Sequence, residues 1–155
     1  MLVTLEPVTL DNWKEVIKID IADDQRRWVD SPTVLHALAE ASFWPSFTSY
    51  AIRDRDTGAR VGYVAFGPHP EKPIYWFVAI LMIDVRYQRR GYGRAAMEAV
   101  LAHAKREQPD IRALGLTYRP GNVAAERLYR SLGFTPEGAD EDGDIKARYW
   151  FTPSP

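Results

Sequence analysis

The sequence predicts an α/β (α+β) protein built on one mixed β-sheet of about seven strands, flanked by about four helices. Two observations carry this. The early strand-like runs follow one another through short turns and form an antiparallel meander. The later ones are separated by amphipathic helices that act as crossovers, so the sheet holds both parallel and antiparallel pairs. No internal repeat, linker or low-complexity stretch interrupts the 155 residues, which are therefore expected to form a single domain, 1–155.

Taken in order, "LVTLEPV" alternates as a first strand. "TLDNWKEVIKIDI" then puts Leu10, Trp13, Val16, Ile17 and Ile21 near one helical face, with Thr9 or Asp11 offered as cap. "DSPTVLHALAEASFW" reads as a second helix with Ser31 at the N-cap and Pro32 at the first helical position, ended by Pro45. Strands at about Tyr50–Arg53 and Arg60–Phe66 flank a turn carrying Asp56 and Gly58, which makes a hairpin. After the loop "PHPEKP" comes an apolar strand, Ile74–Asp84, then a basic loop and a helix running to about Glu107, before Pro109. "IRALGLTY" is a further strand. "PGNVAAERLYRSLGF" is a helix closed by Gly133 in the C′ position. Strands near "FTPEG" and "KARYWFT" bracket the acidic turn "ADEDGD".

Composition excludes several functions. The formal charge of -1 leaves no bulk positive charge for wrapping nucleic acid. No apolar run approaches the length of a membrane span, and no signal peptide is visible, so a soluble cytoplasmic protein is expected. The absence of cysteine removes disulfides, thiolate metal sites and a cysteine nucleophile, and no G-x-S-x-G elbow supplies a serine one. The three histidines, His36, His69 and His103, lack ligand spacing, so no metal site is expected.

The segment "VRYQRRGYGRAAM", 85–97, joins the apolar strand to the long helix through two glycines and several arginines. A helix start exposes unpaired N–H groups and the positive end of the helix dipole, and glycines let a ligand approach the backbone closely. The chemistry that suits such a place is a diphosphate. "GYGRAA" fits a lenient dinucleotide pattern, but a basic loop intervenes before the glycines and the next strand ends without a ribose-binding carboxylate. The nucleoside-triphosphate loop G-x-x-x-x-G-K-[ST] is absent.

Gln88-Arg89-Arg90-Gly91-Tyr92-Gly93 resembles the Q/R-x-x-G-x-G/A signature of the GCN5-related N-acetyltransferase (GNAT) superfamily, and "GNVAAERLYRSLGF" resembles its second signature. The strand–helix order also agrees across nearly the whole chain. The resemblance implies the GNAT fold and acetyl-coenzyme A as acetyl donor, with no metal. It implies that backbone N–H groups of Arg89, Arg90, Gly91, Tyr92, Gly93 and Arg94 hold the pyrophosphate. Leu81, Met82 and Ile83, at a splayed point of the preceding strand, would bond the acetyl and pantetheine groups. Asn122 would contact the cofactor, and Tyr129, seven residues on, would be the general acid toward the thiolate. The resemblance gives no general base. Thr117 stands where some relatives have a glutamate, Ala79 and Ile80 occupy the other expected region, and Asp84 reads as a base or, better, as a partner for nearby arginines, which leaves a water relay as the expected route.

The stretches "DDQRRWVDSPTVLHALAEASFWP" and "MIDVRYQRRGYGRAAM" also look similar to the bacterial spermine/spermidine (diamine) acetyltransferases. Carboxylates in "DIADDQRRWVDS" and "ADEDGD", with Trp28, Phe43, Trp44 and Tyr75, suit a flexible polycation through charge pairing and ammonium–ring contact. The same residues are equally compatible with solvated turns and core aromatics. The expected activity is direct transfer of acetyl to a primary amine such as spermidine or spermine. A protein, peptide or aminoglycoside acceptor, or a catalytically degenerate acetyl-coenzyme A sensor, are the alternatives. The partner is then a small-molecule amine rather than nucleic acid or membrane, and the resemblance is compatible with a homodimer.

Overall fold

The computed structural model describes residues 2–153. Its strands are β1 (Val3–Pro7), β2 (Thr48–Asp54), β3 (Arg60–Pro68), β4 (Tyr75–Ile83), β5 (Ala113–Tyr118), β6 (Thr135–Ala139) and β7 (Ile145–Trp150). Its helices are α1 (Trp13–Val16), α2 (Val34–Ala41), α3 (Tyr92–Glu107) and α4 (Val123–Ser131). The sheet runs β1-β2-β3-β4-β5-β7-β6. Every neighbouring pair is antiparallel except β4 and β5, which α3 joins by a crossover. This is the mixed, helix-flanked sheet that the strand and helix order implies.

Two features of β4 shape the molecule. Against β3, Ala65 pairs with Ile80 but Phe66 pairs with Val78, so Ala79 is an extra, bulged residue. Because side chains alternate along a strand, the bulge flips the register of the residues beyond it. Val78, Leu81 and Ile83 join the core under α3, whereas Ile80 and Met82 join the one under α1 and α2. Against β5, pairing stops after three positions, Tyr75↔Ala113 to Phe77↔Gly115. From there β5 stays with β7 along its whole length, and the two central strands part.

The α3 face that meets the sheet consists of Ala95, Ala96, Met97, Ala99, Val100 and Ala104, all buried. The four alanines among them let the helix lie close to the strands. α4 ends in a Schellman arrangement: the Phe134 N–H reaches the Tyr129 carbonyl at 2.9 Å and the Gly133 N–H reaches Arg130 at 3.0 Å. Gly133 has φ +100°, which explains a glycine in that C′ position.

The first helix is much shorter than the apolar spacing predicts. α1 closes at Val16, and a 3-10 turn covers Asp23–Trp28. Between them the chain is drawn to the end of β4, where the Asp20 N–H donates to the Asp84 carboxylate and the Val85 N–H to the Asp20 carbonyl. For α2 the cap is Thr33, whose Oγ1 accepts the His36 N–H at 3.1 Å, and not Ser31. Ser31 is instead buried, with its hydroxyl donating to Glu40 at 2.7 Å.

Candidate active site

The parting of β4 and β5 opens a cleft of about 650 Å³, bounded by the end of β4, the start of α3, the β5–α4 corner and the segment before α2. Beyond Phe77, every second residue of β4 turns its N–H and C=O into the gap, where no strand receives them. Leu81, Met82 and Ile83 lie on this stretch and line the cleft. Their side chains serve the core at the same time, Met82 on one face and Leu81 and Ile83 on the other.

The basic loop is folded as a cradle at the start of α3. Asp84, 1% exposed, anchors it by accepting the backbone N–H and the guanidinium of Arg86 at 2.9 Å. Burial alone would raise the Asp84 pKa; the Arg86 bonds and the N–H groups of Arg86 and Asp20 outweigh it and lower the value. The carboxylate is thus a structural anchor, occupied and turned away from proton transfer. Arg89 (φ +61°) and Gly91 (φ +82°) both take the left-handed conformation, and Gly91 is the N-cap of α3. The first bond of the helix is Ala95 N–H to Gly91 C=O at 3.0 Å, so the N–H groups of Tyr92, Gly93 and Arg94 precede its ladder. Arg89, Gly91, Tyr92, Gly93 and Arg94 all border the cleft. Arg90 does not: its guanidinium lies 5.7 Å from the ring of Tyr87, which does.

Sequence reasoning missed what holds the cradle in place. The Tyr92 hydroxyl donates to Asp54, a 6% exposed carboxylate at the end of β2. Asp54 also accepts the N–H groups of Asp56 and Thr57 at 2.8 Å, closing the β2–β3 turn. The Tyr92 bond first, then the Thr57 N–H, pull the Asp54 pKa down to about 2. The only local signal is an aspartate in a hairpin turn, which turn chemistry explains on its own.

On the β5–α4 side, Asn122 caps α4, its Oδ1 accepting the Ala125 N–H at 3.2 Å, and it lines the cleft beside Thr117 and Tyr129. The Tyr129 ring packs between Tyr118 (5.9 Å) and Phe134 (5.7 Å), and its hydroxyl has no hydrogen-bond partner among the described residues. Burial first, then the neighbouring Tyr118 phenol, push its pKa up to about 12.

The opposite wall carries carboxylates and indoles: Asp24, Asp30, Glu40, Asp144, Trp28 and Trp44. Part of this acidity is already neutralised. Arg119 pairs with Asp30 and donates to the Arg27 carbonyl, and outside the cleft Arg26 pairs with Asp20 at 2.9 Å and Asp23 at 3.2 Å. Two aromatics grouped with the acceptor side lie elsewhere. Phe43 is 82% exposed and does not line the cleft, and Tyr75 stacks edge-on with Trp150 at 6.4 Å with Arg148 over its ring. His103 is half-buried against Tyr50 and Phe66. Among the described residues, no three metal-binding side chains converge, and no helix is long and apolar enough to cross a membrane.

A glycine-capped helix start beside a split mixed sheet marks the class of protein. The chain belongs to the acetyltransferase (GNAT) family, whose model matches residues 13–134. It is 30% identical over 105 residues to L-2,4-diaminobutyric acid acetyltransferase of Wolinella succinogenes; the match covers 68% of this chain and 58% of that protein. It is 26% identical over 144 residues to spermine/spermidine N(1)-acetyltransferase of Bacillus subtilis, covering 89% and 91%. A solved aminoglycoside acetyltransferase in complex with coenzyme A superposes with a TM-score of 0.75 at 18% identity, covering 96% of this chain and 95% of that one. The ribosomal-protein-S18-alanine N-acetyltransferase of Escherichia coli superposes at 0.69 with 17% identity, covering 99% and 96%.

Proposed function

We propose that this protein transfers the acetyl group of acetyl-coenzyme A directly to a primary amine, and that the amine is a polyamine such as spermidine or spermine. The observation that carries it is one cleft with an N–H-rich helix start at one side, an unpartnered tyrosine hydroxyl between, and free carboxylates opposite. Residues 1–155 act here as one transferase domain, working in the cytoplasm on a small-molecule amine.

Acetyl-coenzyme A supplies the acetyl group as an activated thioester. The residues present fit it. The N–H groups of Tyr92, Gly93 and Arg94, with Gly91 and the Arg89 backbone, would receive the diphosphate, and the dipole of α3 favours its charge. Arg90 would contribute through its backbone alone, since its side chain lies on Tyr87. Backbone groups of Leu81, Met82 and Ile83 would orient the acetyl and pantetheine parts, and Asn122 would donate from its amide nitrogen, its oxygen being used as the cap. With no cysteine, no thiol can hold the acetyl group on the protein, which favours direct attack by the amine. A Tyr129 phenol at about 12 keeps its proton throughout the physiological range, the state a proton donor needs. Both relatives named above are called acetyltransferases of small amines, which supports this acceptor class.

The test is release of free coenzyme A, followed by thiol titration, with spermine, spermidine, 2,4-diaminobutyrate, a basic peptide and an aminoglycoside as acceptors. Spermidine-dependent release is expected, falling about 100-fold or more in Tyr129→Phe. Release only with the peptide or aminoglycoside would replace the polyamine by that acceptor. Binding of acetyl-coenzyme A with no release at all would make the protein a sensor.

A further inference from the structure

We infer that Asp144 is the general base of this site, the carboxylate that takes a proton from the acceptor's ammonium group. The inference rests on the acetyl-transfer reaction proposed above and adds the residue missing from it. Asp144 immediately precedes β7, and its neighbour Ile145 pairs with Tyr118. That register puts it beside the end of β5, on the same cleft as Thr117 and the unpartnered Tyr129 hydroxyl.

Its backbone is held: the N–H donates to Asp140 Oδ1 at 2.9 Å and the carbonyl accepts the Asp140 N–H at 2.8 Å. Its half-buried carboxylate, by contrast, has neither ion pair nor hydrogen bond among the described residues. The other cleft carboxylates are less suited. Asp30 is paired with Arg119, Glu40 accepts the Ser31 hydroxyl, and Asp24 is exposed.

The charges facing Asp144 are Asp140 and Asp142 from its own turn, Asp30 from the segment before α2, and Arg119 from the β5–α4 corner. Three carboxylates thus face one cation, and that cation is already engaged by Asp30 and the Arg27 carbonyl. The place is short of positive charge, which an ammonium group supplies. Burial first, then Asp140 and Asp30, raise the Asp144 pKa above 3.8, making it a stronger base than an ordinary aspartate.

The proton balance is simple. Acetylation of an ammonium group removes two protons from nitrogen. One passes to Asp144 and on to solvent, which frees the nitrogen lone pair to form the C–N bond. As the C–S bond breaks, the sulfur takes the Tyr129 proton, and the phenol recovers the second proton from nitrogen.

Coenzyme A release is measured from about pH 6 to about pH 9 for the wild type, Asp144→Asn, Asp144→Ser, Asp144→Glu and, from the exposed loop after β3, Glu71→Gln, with coenzyme A binding followed by calorimetry. Acceptors are spermidine, 2,4-diaminobutyrate, kanamycin and an alanine-ended peptide. Asp144→Asn is expected to bind coenzyme A normally and lose about 100-fold in kcat/KM for the acceptor near neutrality. The deficit shrinks as pH rises, because solvent then delivers free amine. Asp144→Glu recovers part of the loss, and Glu71→Gln keeps wild-type turnover. Asp144→Ser carries the same comparison if the Asn variant misfolds. Wild-type turnover with an unaffected variant, or a deficit equal at every pH, overturns the role of Asp144 and leaves acetyl transfer standing. No turnover with any amine overturns both.

Discussion

Gly91 and Gly93 lie two residues apart in one motif, yet the structure asks different things of them. Gly91 sits at φ +82° with open space where a Cβ would go, so its demand is conformational. Gly91→Ala forces a side chain into the left-handed region and is expected to cost about 1–2 kcal/mol of stability. Gly93 has no such φ, and an added Cβ would meet Leu128 at an ordinary 3.6 Å. Gly93→Ala should therefore leave the denaturation midpoint unchanged or higher, while weakening coenzyme A binding at the surface the ligand needs. Calorimetric binding equal to wild type in Gly93→Ala would remove that residue from the cradle. His103 makes a different residue-scale prediction. Its ring stands 5.4 Å from both Tyr50 and Phe66, with Nε2 3.3 Å from the Tyr50 hydroxyl and Nδ1 3.2 Å from Arg106. Burial first, then the Arg106 charge, lower its pKa below 6.5. The folded state therefore binds this proton less readily than the unfolded one. The His103 contribution is complete above about pH 6.5 and is lost as the pH falls toward the folded value. In His103→Gln, Tm should fall less steeply between about pH 7 and about pH 5 than in wild type.

At the scale of elements, α3 begins where the proposed ligand cradle is, so whatever fixes its first turn fixes the cradle. The Tyr92–Asp54 bond ties that turn to the β2–β3 hairpin. Tyr92→Phe keeps every backbone N–H and the ring contact with Tyr87 but removes the tether. A raised KM for acetyl-coenzyme A with little change in kcat is expected, together with a lower Tm; an unchanged KM would make the bond purely structural. Because the folded Asp54 pKa lies near 2, below its usual 3.8, its stabilisation is fully present above about pH 4 and is lost as the pH falls through 2. Asp54→Asn should flatten the stability loss in that acid window and nowhere higher. Contacts of this kind were not legible in the sequence, since Tyr92 and Asp54 are joined only by the folded sheet. What could be read was local. The Gly133 stop, the Asn122 cap and the strand-to-loop-to-helix order around Gly91 each follow from chemistry within a few residues. The predicted first helix failed for the complementary reason: Asp20 exchanges long-range bonds with Asp84 and Val85, at the end of β4, that helical periodicity cannot foresee. The acidic turn was visible too, but only the β7 register brings Asp144 into the cleft and leaves Glu141 and Asp142 outside.

For the whole molecule, the consequence of the split sheet is a division of stability. β1 to β4 form a continuous antiparallel meander, whereas β5, β7 and β6 join it through three parallel positions, Tyr75 to Phe77. The junction is tight where it exists, since a Cβ on Gly115 would stand 3.3 Å from the Phe77 ring. Beyond it the halves are bridged by the core under α3, where Leu114, Leu116 and Phe134 meet Tyr50 and Phe66. An element held by fewer cross-sheet bonds opens below the global unfolding free energy. Without ligand, amides of Leu116–Tyr118 and α4 are expected to exchange faster than those of Ile52 and Val64, which sit deep in the meander. Acetyl-coenzyme A, if it spans α3 and the β5–α4 corner as proposed above, binds only when the halves are assembled. At about 100 times its Kd it adds about 2.7 kcal/mol against the opening, or about 100-fold slower exchange in that half. The difference between the halves should then close. Equal exchange in both halves without ligand would mean that the α3 core alone makes the sheet one cooperative unit, and that the gap in the sheet has no energetic counterpart.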